Sequence, residues 1–256
     1  MKALHSIRLA LSTFSRLPVG KPAWDKDGMA YVLCAFPLIG IVLGAAAALW
    51  MLACAALNLG AIAFAAGVVV LNLLITGGIH LDGFADVSDA LASCAPPEEK
   101  RKIMKDPRAG AFAVIGVSGY LIAFFAALTL WPLNEKGAAT LALIFVLSRV
   151  FSGTISLALP SSASEGLLHT FREGANQRAL AILLSELVPC AALFVFLCGW
   201  AGTGALAAAL LCAAGVRRMS VRQFGGMSGD LSGYFLCIGE LAMIAAVVII
   251  NKAVSL

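Results

Sequence analysis

Seven long apolar stretches restrict the fold of this chain more than any other feature of its 256 residues. The chain is 61% hydrophobic and 12% charged, so it lies far from the composition of soluble globular proteins. An apolar run of about 20 residues crosses the ~30 Å hydrocarbon layer of a bilayer as a helix. We therefore predict an all-α polytopic integral membrane protein with a single membrane-embedded domain. The seven predicted spans, of which the sixth is short, are residues 32–57, 61–80, 110–131, 138–159, 179–199, 203–216 and 233–250.

The basic residues predict how these spans are oriented. Of the 18 Lys and Arg residues, 15 fall before the first span or in the connections that follow spans two, four and six. Lys and Arg concentrate in the cytoplasmic loops of membrane proteins, so we predict a cytoplasmic N-terminus and an external C-terminus. The same asymmetry explains the net charge of +4, which gives no separate argument for nucleic-acid binding.

The segment before the first span has the pattern of an amphipathic helix. Apolar side chains recur there at helical spacing, at Leu4, Ile7, Leu11 and Phe14. A helix of this kind lies in the membrane interface with its apolar face towards the lipid. We expect an interfacial helix over residues 2–17 on the cytoplasmic side, ended by Pro18.

Residues 76–89 carry a dense acidic motif, Thr-Gly-Gly-Ile-His-Leu-Asp-Gly-Phe-Ala-Asp-Val-Ser-Asp, at the end of the second span. Its carboxylates, Asp82, Asp86 and Asp89, have the spacing i, i+4, i+7, which places them within roughly 60° of one another on a helix. Like charges on one stripe destabilise each other unless a cation lies among them. Mg²⁺ prefers carboxylate oxygens and leaves sites open for phosphate oxygens. We therefore predict a Mg²⁺ site where this span emerges into the cytoplasm, the alternative being a solvated acidic helix end.

His80 is a less direct candidate in the same motif. It lies two residues before Asp82, so on a continuous helix its side chain points nearly to the opposite face. In that arrangement His80 contacts the metal-binding residues rather than the metal or substrate, or it serves only in packing. A break of the helix at Gly77 and Gly78 would let it take part directly.

Basic residues follow the acidic motif in the connection to the third span. Lys105 and Arg108 flank Asp106 in the run Met-Lys-Asp-Pro-Arg-Ala-Gly. Arginine and lysine are the usual side-chain partners of phosphate groups. Two interpretations of Lys105 and Arg108 stay open: they bind phosphate, or they are ordinary positive charges of a cytoplasmic loop. Ordinary loop charge is enough to explain the three basic residues at 100–102.

A third polar cluster precedes the seventh span. Residues 222–233 read Arg-Gln-Phe-Gly-Gly-Met-Ser-Gly-Asp-Leu-Ser-Gly, so that Gly225, Gly226 and Gly229 surround Asp230. Glycine-rich turns expose backbone N–H groups that bind phosphate, and glycines also serve close helix packing. Asp230 enters the membrane from the same side as the acidic motif, and we expect it to complete the metal site.

Three ionisable residues, Arg149, Glu186 and Glu240, lie within predicted spans. Charges at this depth are costly and face a partner or a cavity. Arg149 and Glu240 fall at similar depths, so the sequence is compatible with an ion pair between them as well as with a substrate-binding role for Arg149. As an alternative function, the three residues fit the relay of an ion-coupled transporter.

Clustered carboxylates, neighbouring basic residues and a glycine-rich turn fit phosphoryl-group transfer with one or two Mg²⁺ ions. The motifs that carry this chemistry resemble the signature segments of the cobalamin synthase family, also called adenosylcobinamide-GDP ribazoletransferase. Besides the acidic motif, the resemblance rests on Met-Lys-Asp-Pro-Arg-Ala-Gly-Ala-Phe and Gly-Gly-Met-Ser-Gly-Asp-Leu-Ser-Gly. Shorter matches occur at residues 14–18, 36–40 and 147–149, so the resemblance covers nearly the whole chain.

Membership in this family implies an enzyme of the bacterial inner membrane that acts late in vitamin B12 assembly. The 3′-hydroxyl of α-ribazole, or of its 5′-phosphate, displaces GMP from adenosylcobinamide-GDP, and the family uses Mg²⁺. The resemblance implies that Asp82, Asp86 and Asp89 hold metal, and that Asp230 holds metal or acts as the base. Chemistry and motif position make the following residues candidates for substrate binding: His80, Lys105, Arg108, Arg149, Gly225, Gly226 and Gly229.

Membrane phosphotransferases that act on CDP-alcohols are the nearest alternative, since they also bear aspartates on a helix. That family needs Asp-x-x-Asp-Gly-x-x-Ala-Arg and then a second paired-aspartate motif. Here Asp89 is followed by Ala90 and Leu91, and no second motif occurs. The sequence leaves open the oligomeric state, any association with other cobalamin-assembly enzymes, the number of metal ions, and whether the acceptor is phosphorylated.

Overall fold

The computed structural model describes residues 2–162 and 166–254, which form thirteen α-helices and one π-helical turn. These two ranges contain no β-strand, apart from an isolated bridge between Ser161 and Met227. The helices are α1 (Lys2–Phe14), α2 (Lys26–Met29), α3 (Val32–Ala35), α4 (Pro37–Ala56), α5 (Ala61–Thr76), α6 (Ile79–Ala92), α7 (Pro97–Ile103), α8 (Ala111–Thr129), α9 (Glu135–Ala158), α10 (Leu167–Gly174), α11 (Ala179–Cys198), α12 (Trp200–Met219) and α13 (Gly229–Val254). The π-helical turn Ser220–Phe224 extends α12.

Six helical units of the described ranges are long and apolar enough to cross a membrane: Val32–Ala56, α8, α9, α11, α12 with its π-helical turn, and α13. The pair α5 and α6 meets the same criterion only when the two bent helices are counted as one span, which brings the number to seven. The prediction of an all-α polytopic membrane protein is confirmed. The sixth span is longer than predicted, because it runs over Trp200–Phe224 rather than over residues 203–216.

Three spans form the centre of the bundle. In the most apolar 18-residue stretch of each span, the protein itself buries 56% of the residues in Val32–Ala56, 61% in α9 and 56% in α13. The corresponding shares in α8, α11 and α12 with its π-helical turn are 17%, 11% and 22%. Apolar side chains need no protein cover in lipid, so these three helices are suited to the outside of the bundle.

The second predicted span is not one helix. α5 ends at Thr76 and α6 begins at Ile79, with an angle of 95° between the two helices. Gly77 and Gly78 join them with φ values of 65° and 76°, in a left-handed conformation that glycine adopts without steric cost. The prediction that span 61–80 runs straight into the acidic motif is therefore wrong. The motif has a helix of its own, which starts at the break.

α6 packs against the beginning of α13 at backbone distance. A Cβ atom on Gly83 would lie 2.7 Å from the Cα atom of Asp230, and one on Gly233 would lie 2.9 Å from the carbonyl oxygen of His80. Real Cβ atoms essentially never come this close, so the approach requires glycine at both positions. This packing brings the acidic motif next to Asp230.

The substitution Gly83→Ala tests this packing. We expect the added methyl group to force α6 and α13 apart and to lower the free energy of unfolding by about 1–3 kcal/mol, as overpacking does. Thermal unfolding of the purified protein, followed by circular dichroism, measures the effect. Gly215→Ala in α12 is the control, because nothing lies within 4 Å of its Cβ position. Equal Tm values for the two variants would contradict the close packing.

α1 turns one face towards the bundle. Its buried side chains are Ser6, Leu9, Ala10 and Phe14, whereas Leu4 is 65% exposed. The predicted helix is present, although it ends three residues earlier than expected and its buried face contacts protein. Its position in the membrane interface stays a prediction.

Candidate active site

One cavity of about 300 Å³ lies where α1, α6, α10 and the start of α13 meet. It brings together residues from the acidic motif, from the basic connection and from the glycine-rich turn. Its polar lining includes His80, Asp82, Arg101, Lys105, Ser228 and Asp230, and its apolar lining includes Phe14, Leu33, Phe36, Ile79, Leu168 and Phe171.

Three helix N-termini border this cavity. The first turns of α6, α10 and α13 contribute Ile79, Leu167 and Gly229 to its lining, and no side chain caps α6 or α10. The first N–H groups of a helix have no partner within the helix and carry partial positive charge. The cavity is therefore suited to bind phosphate groups.

Carboxylates reach the cavity from two elements, Asp82 from α6 and Asp230 from α13. Asp86 lies one turn behind Asp82 and is half-buried, close enough to Asp82, Asp89 and Asp230 for their charges to act on its carboxylate. The expectation that Asp230 joins the acidic motif therefore agrees with the geometry. Asp89 accepts a hydrogen bond from the backbone N–H of Ala113 at 3.3 Å. It caps the N-terminus of α8, a role that the sequence pattern did not indicate.

The donor set fits a Mg²⁺ ion that substrate helps to hold. The described ranges contain no group of three or more His, Cys, Asp or Glu side chains arranged to hold a metal on their own. Mg²⁺ is usually held by one or two carboxylates, with substrate phosphates and waters completing its coordination. Asp82 and Asp230, beside helix N-termini that attract phosphate, supply carboxylates of this kind.

Arg101 and Lys105 supply positive charge to the cavity. The Arg101 guanidinium donates a hydrogen bond to the carbonyl oxygen of Phe224 at 3.0 Å, which fixes it beside the glycine-rich turn. Arg108 lies outside the cavity lining, and its exposed side chain donates to Asp106 at 2.8 and 3.0 Å. These hydrogen bonds lower the pKa of the Asp106 carboxyl to about 2. Of the predicted phosphate-binding pair, Lys105 thus lines the cavity and Arg108 does not.

The sequence pattern did not single out Arg101, because residues 100–102 read as ordinary loop charge. One signal was available: Arg101 and Lys105 are four residues apart, a spacing that would place them on one face if the helix continued, although α7 ends at Ile103. Next to Arg101 on α7, Lys100 donates to the side-chain oxygen of Gln223 at 2.5 Å. This hydrogen bond holds α7 against the π-helical turn and keeps Arg101 at the cavity.

The three candidate glycines of the turn have different surroundings. Gly229 lines the cavity at the first turn of α13. The N–H of Gly226 donates to the carbonyl oxygen of Ser220 at 3.0 Å, so it is not available to a phosphate. Gly225 lies outside the cavity lining, with the Arg101 side chain beside it. Gly225 and Gly226 therefore shape the turn, and Gly229 is the one placed to meet substrate.

His80 lines the same cavity as Asp82, although the two are only two residues apart on α6. The break before Ile79 explains this, because the cavity surrounds the first turn of α6 rather than one side of a long helix. The imidazole is buried, and its Nε2 has no hydrogen-bond partner in the part of the chain that is described. Its ring centroid lies 5.3 Å from that of Phe36. His80 thus belongs to the wall of the cavity.

Arg149 and Glu240 form a buried ion pair between α9 and α13. Their side chains are 0% and 1% exposed, and Ser148 also donates to Glu240 at 2.9 Å. Neither residue lines the cavity, but Arg149 lies directly behind its wall, with the guanidinium carbon 5.9 Å from the ring centroid of Phe36, and it ties two central spans together. Glu186, the third charge of the transporter alternative, lies on α11 outside this pair.

Removal of one partner of this pair is expected to destabilise the bundle. Glu240→Leu leaves the Arg149 charge buried without a carboxylate, which typically costs about 3–5 kcal/mol. The double variant Arg149→Met/Glu240→Leu should regain most of that loss, because no unpaired charge is left. Thermal unfolding of the single and double variants measures both effects. A double variant no more stable than Glu240→Leu would contradict the pairing.

The fold and the cavity define a class of protein: an all-α polytopic membrane protein in which carboxylates, cations and helix N-termini converge on one site. Comparison with known proteins narrows this class. The family described as Cobalamin-5-phosphate synthase matches residues 6–248. The chain belongs to this family and is a transferase.

Curated relatives match the chain over most of its length. Adenosylcobinamide-GDP ribazoletransferase of Lachnoclostridium phytofermentans is 36% identical over 250 residues, which is 97% of this chain and 95% of the relative. Proteins of the same name from Pseudomonas putida and Clostridium perfringens are 35% and 32% identical, each over 92% of this chain. The matches cover 95% and 94% of those two relatives. No solved structure matches the chain significantly.

Proposed function

We propose that this protein transfers the adenosylcobinamide-phosphate group of adenosylcobinamide-GDP to α-ribazole or α-ribazole 5′-phosphate, with release of GMP. The product is adenosylcobalamin or its 5′-phosphate. The observation that carries the proposal is the cavity where Asp82, Arg101, Lys105 and Asp230 meet three helix N-termini. The relatives named adenosylcobinamide-GDP ribazoletransferase support the choice of substrates.

The diphosphate of the donor matches the positive groups of the cavity. Arg101 is already fixed by its hydrogen bond to Phe224, so it loses little side-chain entropy when it binds a phosphate. Lys105 adds a second cation, and the first N–H groups of α6 and α13 add partial positive charge. Gly229 lets the phosphate approach the backbone closely, because it has no side chain.

The proposed reaction is a displacement at phosphorus. The 3′-hydroxyl oxygen of the acceptor attacks the phosphorus that bears the cobinamide, and the P–O bond to GMP breaks. GMP leaves with that oxygen, and the hydroxyl proton passes to a carboxylate oxygen of Asp230. Asp82 and Asp230 are the residues placed to hold Mg²⁺, which would offset the charge on the phosphate oxygens.

The bacterial inner membrane is the proposed location, with the cavity open to the cytoplasm. The basic residues concentrate on the side of the chain that carries Arg101 and Lys105, and such a bias marks cytoplasmic loops. The relatives described above are bacterial proteins. In this orientation, substrates dissolved in the cytoplasm reach the cavity directly.

Acceptor-dependent GMP release tests the proposed function. The purified protein, reconstituted in lipid vesicles, receives adenosylcobinamide-GDP, α-ribazole 5′-phosphate and Mg²⁺. We expect GMP and a new corrinoid to form in equal amounts, and neither to form without acceptor or with EDTA. Folded, reconstituted protein that released no GMP, or released it without acceptor, would contradict the proposal.

The two arginines of the basic connection give a matched test of phosphate binding. We expect Arg101→Gln to raise the KM for the donor by about 10- to 100-fold, the range of one or two lost charge-assisted hydrogen bonds. Arg108→Gln should change it less than about twofold, since exposed ion pairs such as Arg108–Asp106 contribute little. Steady-state kinetics at saturating acceptor measures both values. Equal effects of the two substitutions would contradict the placement of Arg101 at the donor.

A further inference from the structure

A second cavity, of about 640 Å³, borders the first turn of α6. The end of α1, the break between α5 and α6, and α8 build the rest of its wall. Ile79 and Asp82 line both cavities, and all other lining residues of the two differ. Asp82, which is proposed to hold the metal, therefore adjoins a second space from which a ligand can approach it.

Arg16 gives the second cavity a cation whose charge is not engaged by the protein. Its side chain is exposed and makes no hydrogen bond or ion pair within the two described ranges. Its backbone N–H donates to the carbonyl oxygen of Ile75 at 2.8 Å. Its aliphatic part lies on Gly77, where an added Cβ atom would come within 2.9 Å of Cγ and 3.0 Å of Cδ. The backbone and stem of Arg16 are thus held at the helix break, while its guanidinium is available to a ligand.

We infer that Arg16 binds the 5′-phosphate of the acceptor, so that α-ribazole 5′-phosphate occupies the second cavity. The identity of the acceptor rests on the proposed function, and the inference adds where its phosphate binds and which residue recognises it. A guanidinium binds phosphate oxygens through two parallel charge-assisted hydrogen bonds. Arg16 is the one arginine or lysine in the lining of the second cavity.

The direction of the reaction favours a separate place for the acceptor. In phosphoryl transfer the attacking and leaving oxygens lie roughly in line, on opposite sides of the phosphorus. Arg101 and Lys105, which are proposed to bind the donor diphosphate, line the first cavity and not the second. An acceptor in the second cavity reaches the phosphorus past Asp82, without displacing the donor from these two cations.

The spacing along the chain fits a ribose between Arg16 and Asp82. The N–H of Asp82 donates to the carbonyl oxygen of Gly78 at 2.9 Å, so Asp82 lies one helical turn, about 5.4 Å along the axis, beyond the glycine break. The Arg16 side chain lies on that break. One ribose carries both the 5′-phosphate and the 3′-hydroxyl, so a phosphate on Arg16 directs the 3′-hydroxyl towards Asp82.

The lining of the second cavity favours a nucleotide over a membrane lipid, the other source of phosphate beside a bilayer. Its volume lies in the range of small-molecule sites. The acyl chains of a lipid need continuous apolar surface. Only three of the eleven lining residues are apolar and larger than glycine, and the rest are polar, charged or glycine. The apolar three, which suffice to contact one base, are Ile79, Leu81 and Val117.

The preference for a phosphorylated acceptor tests this assignment. We measure kcat/KM for α-ribazole 5′-phosphate and for α-ribazole with protein in dodecyl maltoside, a detergent without phosphate. Arg16→Gln should lower kcat/KM for the phosphorylated acceptor by about 10- to 100-fold, the range of one or two lost charge-assisted hydrogen bonds. The value for α-ribazole and the KM for the donor should each change less than about twofold, because neither ligand has the 5′-phosphate.

Arg8→Gln is the matched control, since Arg8 is an exposed arginine of α1 that lies outside both cavities. It should leave both acceptors within about twofold of the wild-type values. Three results for Arg16→Gln would each overturn the assignment. They are an equal loss with both acceptors, a raised KM for the donor, and an unchanged preference for the phosphorylated acceptor.

Equilibrium dialysis without donor separates this site from the proposed function. In the presence of Mg²⁺ the wild-type protein should bind α-ribazole 5′-phosphate at least about 10-fold more tightly than α-ribazole, and Arg16→Gln should lose this difference. That result supports the site even where the wild-type protein releases no GMP. Equal Kd values for the two ligands on the wild-type protein overturn the site even where GMP release is normal.

Arg16→Lys keeps the test decisive if Arg16→Gln does not fold. Lysine keeps the positive charge but cannot form two parallel hydrogen bonds to one phosphate. We expect the preference for the phosphorylated acceptor to fall by about 3- to 10-fold in this variant, the loss of one hydrogen bond. Circular dichroism checks that each variant is folded. A folded Arg16→Lys variant with the full preference would overturn the assignment.

Discussion

Asp82→Asn is expected to lower acceptor-dependent GMP release by about 1,000-fold or more, while the protein stays folded. The substitution keeps the size of the side chain and removes its negative charge. A metal held at a phosphoryl-transfer site contributes several kcal/mol to transition-state stabilisation, and each ~1.36 kcal/mol is a factor of ten in rate. Asp82 is exposed in the cavity, so the fold does not depend on burying it.

The rate at saturating donor, acceptor and Mg²⁺ measures this effect, and circular dichroism checks that the variant is folded. Asp106→Asn is the matched control, because Asp106 is a carboxylate outside the cavity that pairs with Arg108. The control should lose less than about twofold, as expected for an exposed ion pair. An Asp82→Asn variant with full GMP release would show that Asp82 does not hold the metal.

Asp230→Asn should have the next largest effect, a loss of about 100- to 1,000-fold. The carboxylate is proposed to accept the proton of the attacking hydroxyl, a role that typically contributes 10²- to 10⁴-fold, and to share the metal with Asp82. Because the two residues serve one site, their effects should not multiply. The double variant Asp82→Asn/Asp230→Asn should therefore be little slower than the slower single variant.

These variants and the wild-type protein form a double-mutant cycle. The cycle is measured as the rate of GMP release by each protein, reconstituted in vesicles of the same lipid. Gly239→Ala, further along the same helix, controls for local changes in α13, since it lies outside the cavity lining and its Cβ position has only ordinary contacts, at 3.6 Å or more. It should lose far less activity than Asp230→Asn. Losses that multiply in the double variant would show that the two carboxylates act independently, against a shared site.

Most of the fold could be predicted from the sequence, because hydropathy is a local property of the chain. The break between α5 and α6 was the main exception. Gly77 and Gly78 marked a point where a helix could end, but apolar residues on both sides favoured one continuous span. The left-handed conformation of both glycines depends on the surrounding packing, which a local pattern does not contain.

The candidate site could be predicted in part. Asp82 and Asp230 were identified because carboxylates at the edge of a span need a partner, and both line the cavity. Asp89 was assigned to metal on its spacing and on the family resemblance, whereas the structure places it at the N-terminus of α8, where it accepts a hydrogen bond from Ala113, 24 residues further along the chain. The packing of α7 against the glycine-rich turn places Arg101 at the cavity. Arg108 instead pairs with Asp106 outside it. These outcomes depend on tertiary contacts rather than on sequence spacing.

The rings beside the cavity could be predicted from the sequence only in part. His80 was a candidate because it belongs to the acidic motif, whereas Phe14, Phe36 and Phe171 do not stand out among the 14 phenylalanines of the chain. Apolar side chains at a ligand site follow the same helical periodicity as side chains of the core, so the two uses look alike in a sequence.

A metal-specificity switch tests most directly whether a metal held by Asp82 and Asp230 contacts the transferred phosphate. The wild-type protein receives a donor in which sulfur replaces one non-bridging oxygen of the cobinamide-bearing phosphate, with each diastereomer assayed separately. We expect transfer of one diastereomer to be slow with Mg²⁺, which binds sulfur poorly, and to be restored by the softer Mn²⁺. If the sulfur donor and the oxygen donor responded identically to the two metals, no metal would contact that phosphate, and the proposed site would be contradicted.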